Sequence, residues 1–222
     1  MEKPLYIVFL AGGIASGKSS ISRQLASLGA QVIDLDELSR YVLDSNEQLK
    51  HDIAQAFGAQ IVDEKTGQID RARLAQCAFE SASATALLED LELPAIKQEL
   101  LLRLTQAQKR VLADTMKSNH GSKSLSKAAR ICVVEVPLLD RMEAYFDIAD
   151  EVVLVDTPVE LRCKRAMQRG MSEADFWARA QRQAPDQWLR AHADTILPNG
   201  AGEDDLARAV ALWWKERLDV VS

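Results

Sequence analysis

The chain has 222 residues, 47% of them apolar and 27% charged. That balance fits one domain of ordinary size, or a core domain with a smaller subdomain, and excludes a disordered, collagen-like or disulfide-scaffold chain. With 27 Lys plus Arg against 33 Asp plus Glu, the net charge of −6 gives no overall pull toward nucleic acid or anionic lipid, so any polyanion site must be a local basic patch. In chain order, Leu5 to Leu10 is a short apolar run ended by Gly12 and Gly13, which predicts a buried strand feeding a turn. The run is too short to cross a bilayer and has no signal-peptide cleavage pattern after it, so neither membrane association nor export is expected. Ile21, Leu25 and Leu28 follow at helical spacing, with Gly29 as a stop before Gln31-Val-Ile33, a second strand.

Roughly Glu37 to Met116 shows helical periodicity and little strand signal, the place for an inserted helical subdomain. Lys117 to Lys127 is polar and aperiodic and predicts a surface loop. Ile131 to Val134, Val152 to Val155 and, more weakly, Thr195 to Leu197 are three further strands. Continuous apolar strands alternating with helices indicate an α/β fold, a five-stranded parallel sheet covered on both faces. The last helix, Glu203 to Leu218, places Leu206, Val210, Trp213 and Trp214 on or near one face, which predicts core packing for both tryptophans. Cys77, Cys132 and Cys163 are far apart and lack a C-x-x-C pair, so they read as reduced core thiols of a cytoplasmic protein. Three scattered histidines, His51, His120 and His192, argue against a metalloenzyme.

The sharpest signal is Gly12-Gly-Ile-Ala-Ser-Gly-Lys-Ser19, a G-x-x-x-x-G-K-[ST] sequence standing between the first strand and the first helix. Backbone N–H groups of such a loop and of the helix start point at phosphate, glycines allow close approach, Lys18 adds positive charge, and Ser19 is placed to ligate Mg²⁺. No Asn-Lys-x-Asp or Thr-Lys-x-Asp guanine-reading sequence occurs, and the chain is small for a motor or transporter ATPase. A small-molecule kinase is the leading class, using ATP and Mg²⁺.

Asp34 and Asp36, just after the second strand, fall at the carboxyl edge of the sheet where open α/β folds bind ligands. Either could serve the chemistry or cap a helix taken to begin at Glu37. Glu135, ending the third strand, is a further carboxylate at that edge, able to orient Mg²⁺ or water or to be structural. From Glu160 to Arg190, Arg162, Lys164, Arg165, Arg169, Arg179, Arg182 and Arg190 face four acids, a net +3. Arg165 and Arg169 are four apart, so on a helix they share one face, as expected of a lid over triphosphate.

These residues resemble the dephospho-coenzyme A kinase family nearly end to end. The resemblance is carried by the phosphate loop, Leu28-Gly-Ala-Gln-Val-Ile-Asp-Leu-Asp36 with Arg40, Gly67-Gln-Ile-Asp-Arg71 with Leu74 and Phe79, and Val136-Pro-Leu-Leu139. Later segments are Val155-Asp-Thr-Pro158, Lys164-Arg165 with Gln168-Arg169, Arg179 with Gln183, and Ala193-Asp194 with Asn199-Gly200. It implies transfer of the ATP γ-phosphoryl group to the ribose 3′-hydroxyl of dephospho-coenzyme A. Asp36 would be the base, Lys18 and Arg165 would stabilise transferred charge, and Gly13, Ile14, Ala15, Ser16, Gly17, Lys18, Ser19 and Ser20 would hold the nucleotide with Arg169, Asn199 and Gly200. The resemblance also implies an acceptor site in the helical insertion, about 37–116, with Asp36, Arg40, Arg71 and Arg73 as candidates. The core would be about 1–36, 129–158 and 192–222, and the lid about 159–191.

The sequence departs from the family pattern at Ala11 (usually Thr), Ala15 (usually Gly), Leu93 before Pro94 (usually His) and Arg141 (usually Glu). Ala15 is expected to keep a negative φ, since Ala tolerates the loop only on that condition. Two other readings stay open on the residues: a related kinase with another acceptor, and a catalytically weak nucleotide-binding module.

Overall fold

A computed structural model describes residues 4–118, 126–200 and 202–221. The strands are β1 (Tyr6–Ala11), β2 (Gln31–Asp34), β3 (Ile131–Glu135), β4 (Glu151–Asp156) and β5 (Thr195–Pro198). They form one five-stranded sheet in the order β2-β3-β1-β4-β5, and every pairing is parallel. All five expected strands are present, each ending one residue beyond its predicted last residue. Cross-strand register pairs Leu10 with Glu135 and Asp34 with Glu135, so both carboxylates and the end of β1 lie at one carboxyl edge. The chain leaves central β1 first toward β2 and β3, then toward β4 and β5. That makes the end of β1 the switch point at which ligands bind in open α/β sheets.

β1, β3 and β4 are buried almost throughout, which is why they read as unbroken apolar runs rather than alternating ones. Helix α1 (Lys18–Ser27) lays Ile21 and Leu25 into a core with Val8, Leu10, Ile131, Val133, Val153, Val155 and Leu197. It closes as expected at Gly29, whose φ is 102°, with Gly29 N–H bonded to Ala26 O and Ala30 N–H to Leu25 O, a left-handed helix stop. Helix α9 (Glu203–Val220) adds Val210, Trp213 and Trp214 to the same cluster, so both tryptophans are core residues. Cys132 and Cys163 are buried free thiols, whereas Cys77 is half-buried. Most of the predicted loop at 117–127 lies outside the described residues.

The chain divides into two compact units, Met1–Asp34 with Gln106–Ser222, and Leu35–Thr105. In the second, α2 (Leu35–Ser45) buries Leu35, Leu38, Val42 and Leu43. Helix α3 (Glu47–Phe57) is capped by Asn46, which accepts from the Leu49 N–H, and α4 (Arg71–Ala78) by Asp70, which accepts from Ala72 and Arg73, the side-chain caps that helix starts need. α5 (Ala82–Ser118) follows. One antiparallel bridge, Val62 to Ile69, interrupts the helical pattern. Helix α2 starts at Leu35 rather than Glu37, so Asp36 stands in a first helical turn and not in a loop.

At the opposite, amino edge of the sheet, Glu151 is 3% exposed and accepts bonds from Arg217 (2.6 and 2.7 Å), Thr195 (2.6 Å) and Trp213 (3.1 Å). Burial raises the Glu151 pKa, but the bonds from Arg217, Thr195 and Trp213 outweigh it and hold the carboxyl below its usual value. A depressed folded value gives stability that is present above the unfolded carboxylate pKa of about 4.3 and lost as pH falls through the folded one. Glu151→Gln should therefore destabilise at pH 7 and lose less stability than wild type on going below about pH 4.5, measured by denaturant unfolding across pH; parallel acid limbs would remove Glu151 as a contributor.

Candidate active site

The loop from Gly12 to Gly17 joins β1 to α1 at the carboxyl edge, where the sequence placed it. Gly17 caps α1 with φ 104°, a left-handed conformation natural to glycine. At Gly13 a Cβ would overlap the Arg162 guanidinium, so only glycine fits. Lys18 Nζ donates to Gly12 O at 2.6 Å and Gly13 O at 3.4 Å, folding its ammonium back over the loop. Ser19 Oγ donates to Glu135 Oε1 at 2.7 Å, and Ser22 Oγ lies 2.5 Å from Glu135 Oε2. Glu135, left open between chemical and structural roles, is thus bound to the hydroxyl expected to ligate metal.

Ala15 has φ 58° and is the one non-glycine residue with positive φ among those described. The condition of a negative φ is not met: Ala15 is left-handed, packed with Ile14 against Cys163, Ala166 and Phe176. A left-handed non-glycine residue costs about 1–2 kcal/mol. Ala15→Gly should therefore stabilise the fold by about 1 kcal/mol, raising the melting midpoint by about 2–4 °C in thermal unfolding; an unchanged or lower midpoint would mean that the loop bears no such strain.

The outer side of the loop is held by polar side chains. Ser16 is buried, and its carbonyl accepts from Asn199 Nδ2 at 2.7 Å and Thr157 Oγ1 at 2.9 Å. Asn199 Oδ1 accepts from Arg165 at 3.1 Å. Arg165 thereby reaches the phosphate loop through Asn199, and these two predicted residues are brought together. Gly200 follows on the exposed surface beside Pro158. Arg169 is the residue after the end of α6 (Val159–Gln168), with φ −91° and ψ 8°, so Arg165 and Arg169 do not share a continuous helical face as predicted. Ser20 is exposed on α1, and Ile14 is half-buried.

Three participants, Thr157, Arg162 and Gln183, are not among the site residues expected from the sequence. Arg162, counted only as one of the basic residues, is 5% exposed; its Nη2 lies 2.7 and 2.8 Å from the two carboxylate oxygens of Asp186, its Nε donates to Thr157 O at 3.1 Å, and its guanidinium abuts Gly13. The signal was available: Arg162 sits beside Cys163 and four before Ala166, on the buried face of α6. Gln183 accepts from the Ile14 N–H at 2.7 Å and donates to Pro137 O at 3.1 Å; its place beside Arg179 among the segments that carry the resemblance was the one signal, and it says nothing of these bonds.

Within the second unit, Asp36 is exposed, and its carbonyl accepts from Arg40 Nε at 3.0 Å. Arg71 pairs with Asp44 at 2.6 Å. Arg40 and Asp44 are four apart on α2, so Arg71 is brought to the face that carries Arg40. Arg73 turns elsewhere, to Asp70 at 3.2 Å and Gln60 O at 2.9 Å. Leu93 is half-buried on α5, and Arg141 pairs with Asp140 at 2.9 Å.

Among the described residues no group of three or more His, Cys, Asp or Glu could hold a metal, and no helix is long and apolar enough to cross a membrane. The model of the dephospho-CoA kinase family matches residues 6–116 and 114–205. Dephospho-CoA kinases of Corynebacterium diphtheriae and Thermobifida fusca are 32% and 34% identical to this chain, each over 94% of it and over 96% and 94% of their own lengths. Among solved structures, a dephospho-CoA kinase from Campylobacter jejuni superposes with a TM-score of 0.67 at 27% identity, covering 97% of this chain and 98% of its own. A Thermus thermophilus protein, TT1252, superposes with a TM-score of 0.72 at 26% identity, covering 96% and 97%. A phosphate loop held at the switch point of a five-stranded parallel sheet, together with likeness along nearly the whole chain, places this protein in the dephospho-CoA kinase family.

Proposed function

We propose that the protein transfers the γ-phosphoryl group of ATP to the ribose 3′-hydroxyl of dephospho-coenzyme A, with the residues of the phosphate loop as its catalytic centre. The observation that carries this reading is the loop itself, fixed at the end of β1 with Lys18 folded over it and its outer side tied down by Thr157, Arg162, Gln183 and Asn199. Such a loop offers N–H groups, a helix start and an ammonium to phosphate oxygens without reorganisation at the moment of transfer. Gly13 to Ser20 bind the phosphates, and Asn199 and Gly200 contact the adenine. Arg165, with Arg169 beyond it, neutralises charge on the transferred group. Asp36 receives the proton of the attacking hydroxyl, and Arg40, Arg71 and Arg73 are the residues offered to the acceptor.

Mg²⁺ is held through few protein oxygens, with water and substrate phosphates completing its shell. Ser19 Oγ and the Glu135 carboxylate bonded to it are hard oxygen donors of that kind and fit the ion. Bound there, it would neutralise charge on the β- and γ-phosphates. A cytoplasmic location fits the unpaired thiols of Cys132 and Cys163 in core positions.

The test is an assay with ATP, Mg²⁺ and dephospho-coenzyme A, scored by the mass of coenzyme A, beside adenosine, nucleoside monophosphate and no-acceptor controls. Coenzyme A formed well above the controls is expected. ATP binding without coenzyme A, or faster turnover of another acceptor, would overturn the assignment of substrate.

A further inference from the structure

We propose that Gln183 is a positioning residue: it holds the phosphate loop in its nucleotide-binding shape against the strain at Ala15 and so links the segment after α7 (Glu173–Ala180) to ATP affinity. The inference rests on the phosphate-binding reading of residues 12–19 given above. Gln183 Oε1 accepts from the Ile14 N–H at 2.7 Å, and that N–H belongs to the peptide immediately before the Ile14–Ala15 step. Fixing the peptide plane there limits how the chain can relax at Ala15, whose φ of 58° persists only where surrounding contacts impose it.

The side-chain amide is anchored at both ends. Its Nε2 donates to Pro137 O at 3.1 Å, and Val136, just before that proline, is bonded through its N–H to Leu10 O of β1. The Gln183 amide thus spans from the loop to the rigid edge of the sheet. Its orientation is unambiguous, since a flipped amide would set oxygen against the Pro137 carbonyl and NH₂ against the Ile14 N–H. The backbone of Gln183 is placed by its own N–H bond to Ala180 O at 3.1 Å.

Apolar contacts point the same way. Ile14 and Ala15 pack against a small cluster of Cys163, Ala166 and Phe176, together with Val159, Met171 and Ala180. The tip of the phosphate loop is therefore seated in the core formed by α6 and α7, and Gln183 closes that contact with a hydrogen bond. Loss of the bond should free the Gly13–Ile14 peptide and let the loop relax at Ala15, so that binding phosphate must first restore its shape.

A double-mutant cycle tests this, with Gln183→Met as a near-isostere that loses both bonds and Ala15→Gly as a relief of strain. ATP dissociation constants are measured by calorimetry for wild type, both single variants and the double variant, alongside melting midpoints. Gln183→Met is expected to weaken ATP binding about tenfold, and in the Ala15→Gly background the same change should weaken it by less than about threefold, since there is less strain to release. Equal losses in both backgrounds, or unchanged affinity in Gln183→Met, would overturn the role. Amide hydrogen exchange on the wild-type protein gives a reading that does not depend on any variant folding: the Ile14 N–H should be protected, and exchange at an unprotected rate would also overturn the role. A wild-type protein that does not bind ATP would refute the phosphate-site reading itself, whereas binding in wild type with unchanged affinity in Gln183→Met refutes this inference alone.

Discussion

Lys18→Ala should lower turnover by about 10³-fold or more while leaving the fold standing. The ammonium is held over the loop by Gly12 O at 2.6 Å and Gly13 O at 3.4 Å, carbonyls of the same turn that would seat the phosphates. A charge placed there acts on the oxygens that gain negative character during transfer. Where bound substrates exclude water from such a site, one preorganised cation is worth several kcal/mol. Lys18 is half-buried at the first position of α1, and Ala is the best helix former, so the variant should melt close to wild type. Lys18→Arg should not restore the rate, because a planar guanidinium cannot replace a compact ammonium on a short reach across the turn. Single-turnover rates with saturating ATP, read beside melting midpoints, check both statements. Turnover near wild type in Lys18→Ala would remove the lysine from the chemistry.

The fold was legible because its signals are local. β1, β3 and β4 are buried on both faces, so burial wrote itself into the sequence as continuous apolar runs; Gly29 stops α1 because a left-handed turn is needed there. The phosphate loop was legible for the same reason, since its glycines, Lys18 and Ser19 fall within one short segment and Gly17 answers to a backbone angle there. What escaped depends on partners far along the chain. Arg162 resembles any helical arginine until Asp186, 24 residues on, and Gly13 are seen beside it. Gln183 meets Ile14 across 169 positions. The conformation of Ala15 was misjudged because residue preference was allowed to decide an angle that tertiary contacts impose. The start of α2 was placed two residues late because the end of β2 passes straight into the helix at Leu35, with no intervening turn residue to mark it.

The start of α2 at Leu35 puts Asp36 in the first turn of that helix. As the second residue of α2, Asp36 sits where a carboxylate is favoured by the helix dipole, so position alone could explain an acid there and a structural role must be separated from a chemical one. Asp36→Asn does so: the amide keeps the size and hydrogen-bond acceptor suited to a helix start, yet cannot take the proton of an attacking hydroxyl. If Asp36 is the base, kcat should fall by about 10²–10⁴-fold, with ATP affinity and melting midpoint nearly unchanged, because Asp36 is no part of the phosphate loop. Single-turnover phosphoryl transfer, with ATP affinity measured separately, distinguishes the cases. A lowered melting midpoint with near wild-type kcat would assign Asp36 to the start of α2, and the proton acceptor would then be sought between Asp34 and Glu135, which are register partners on β2 and β3 at the same sheet edge.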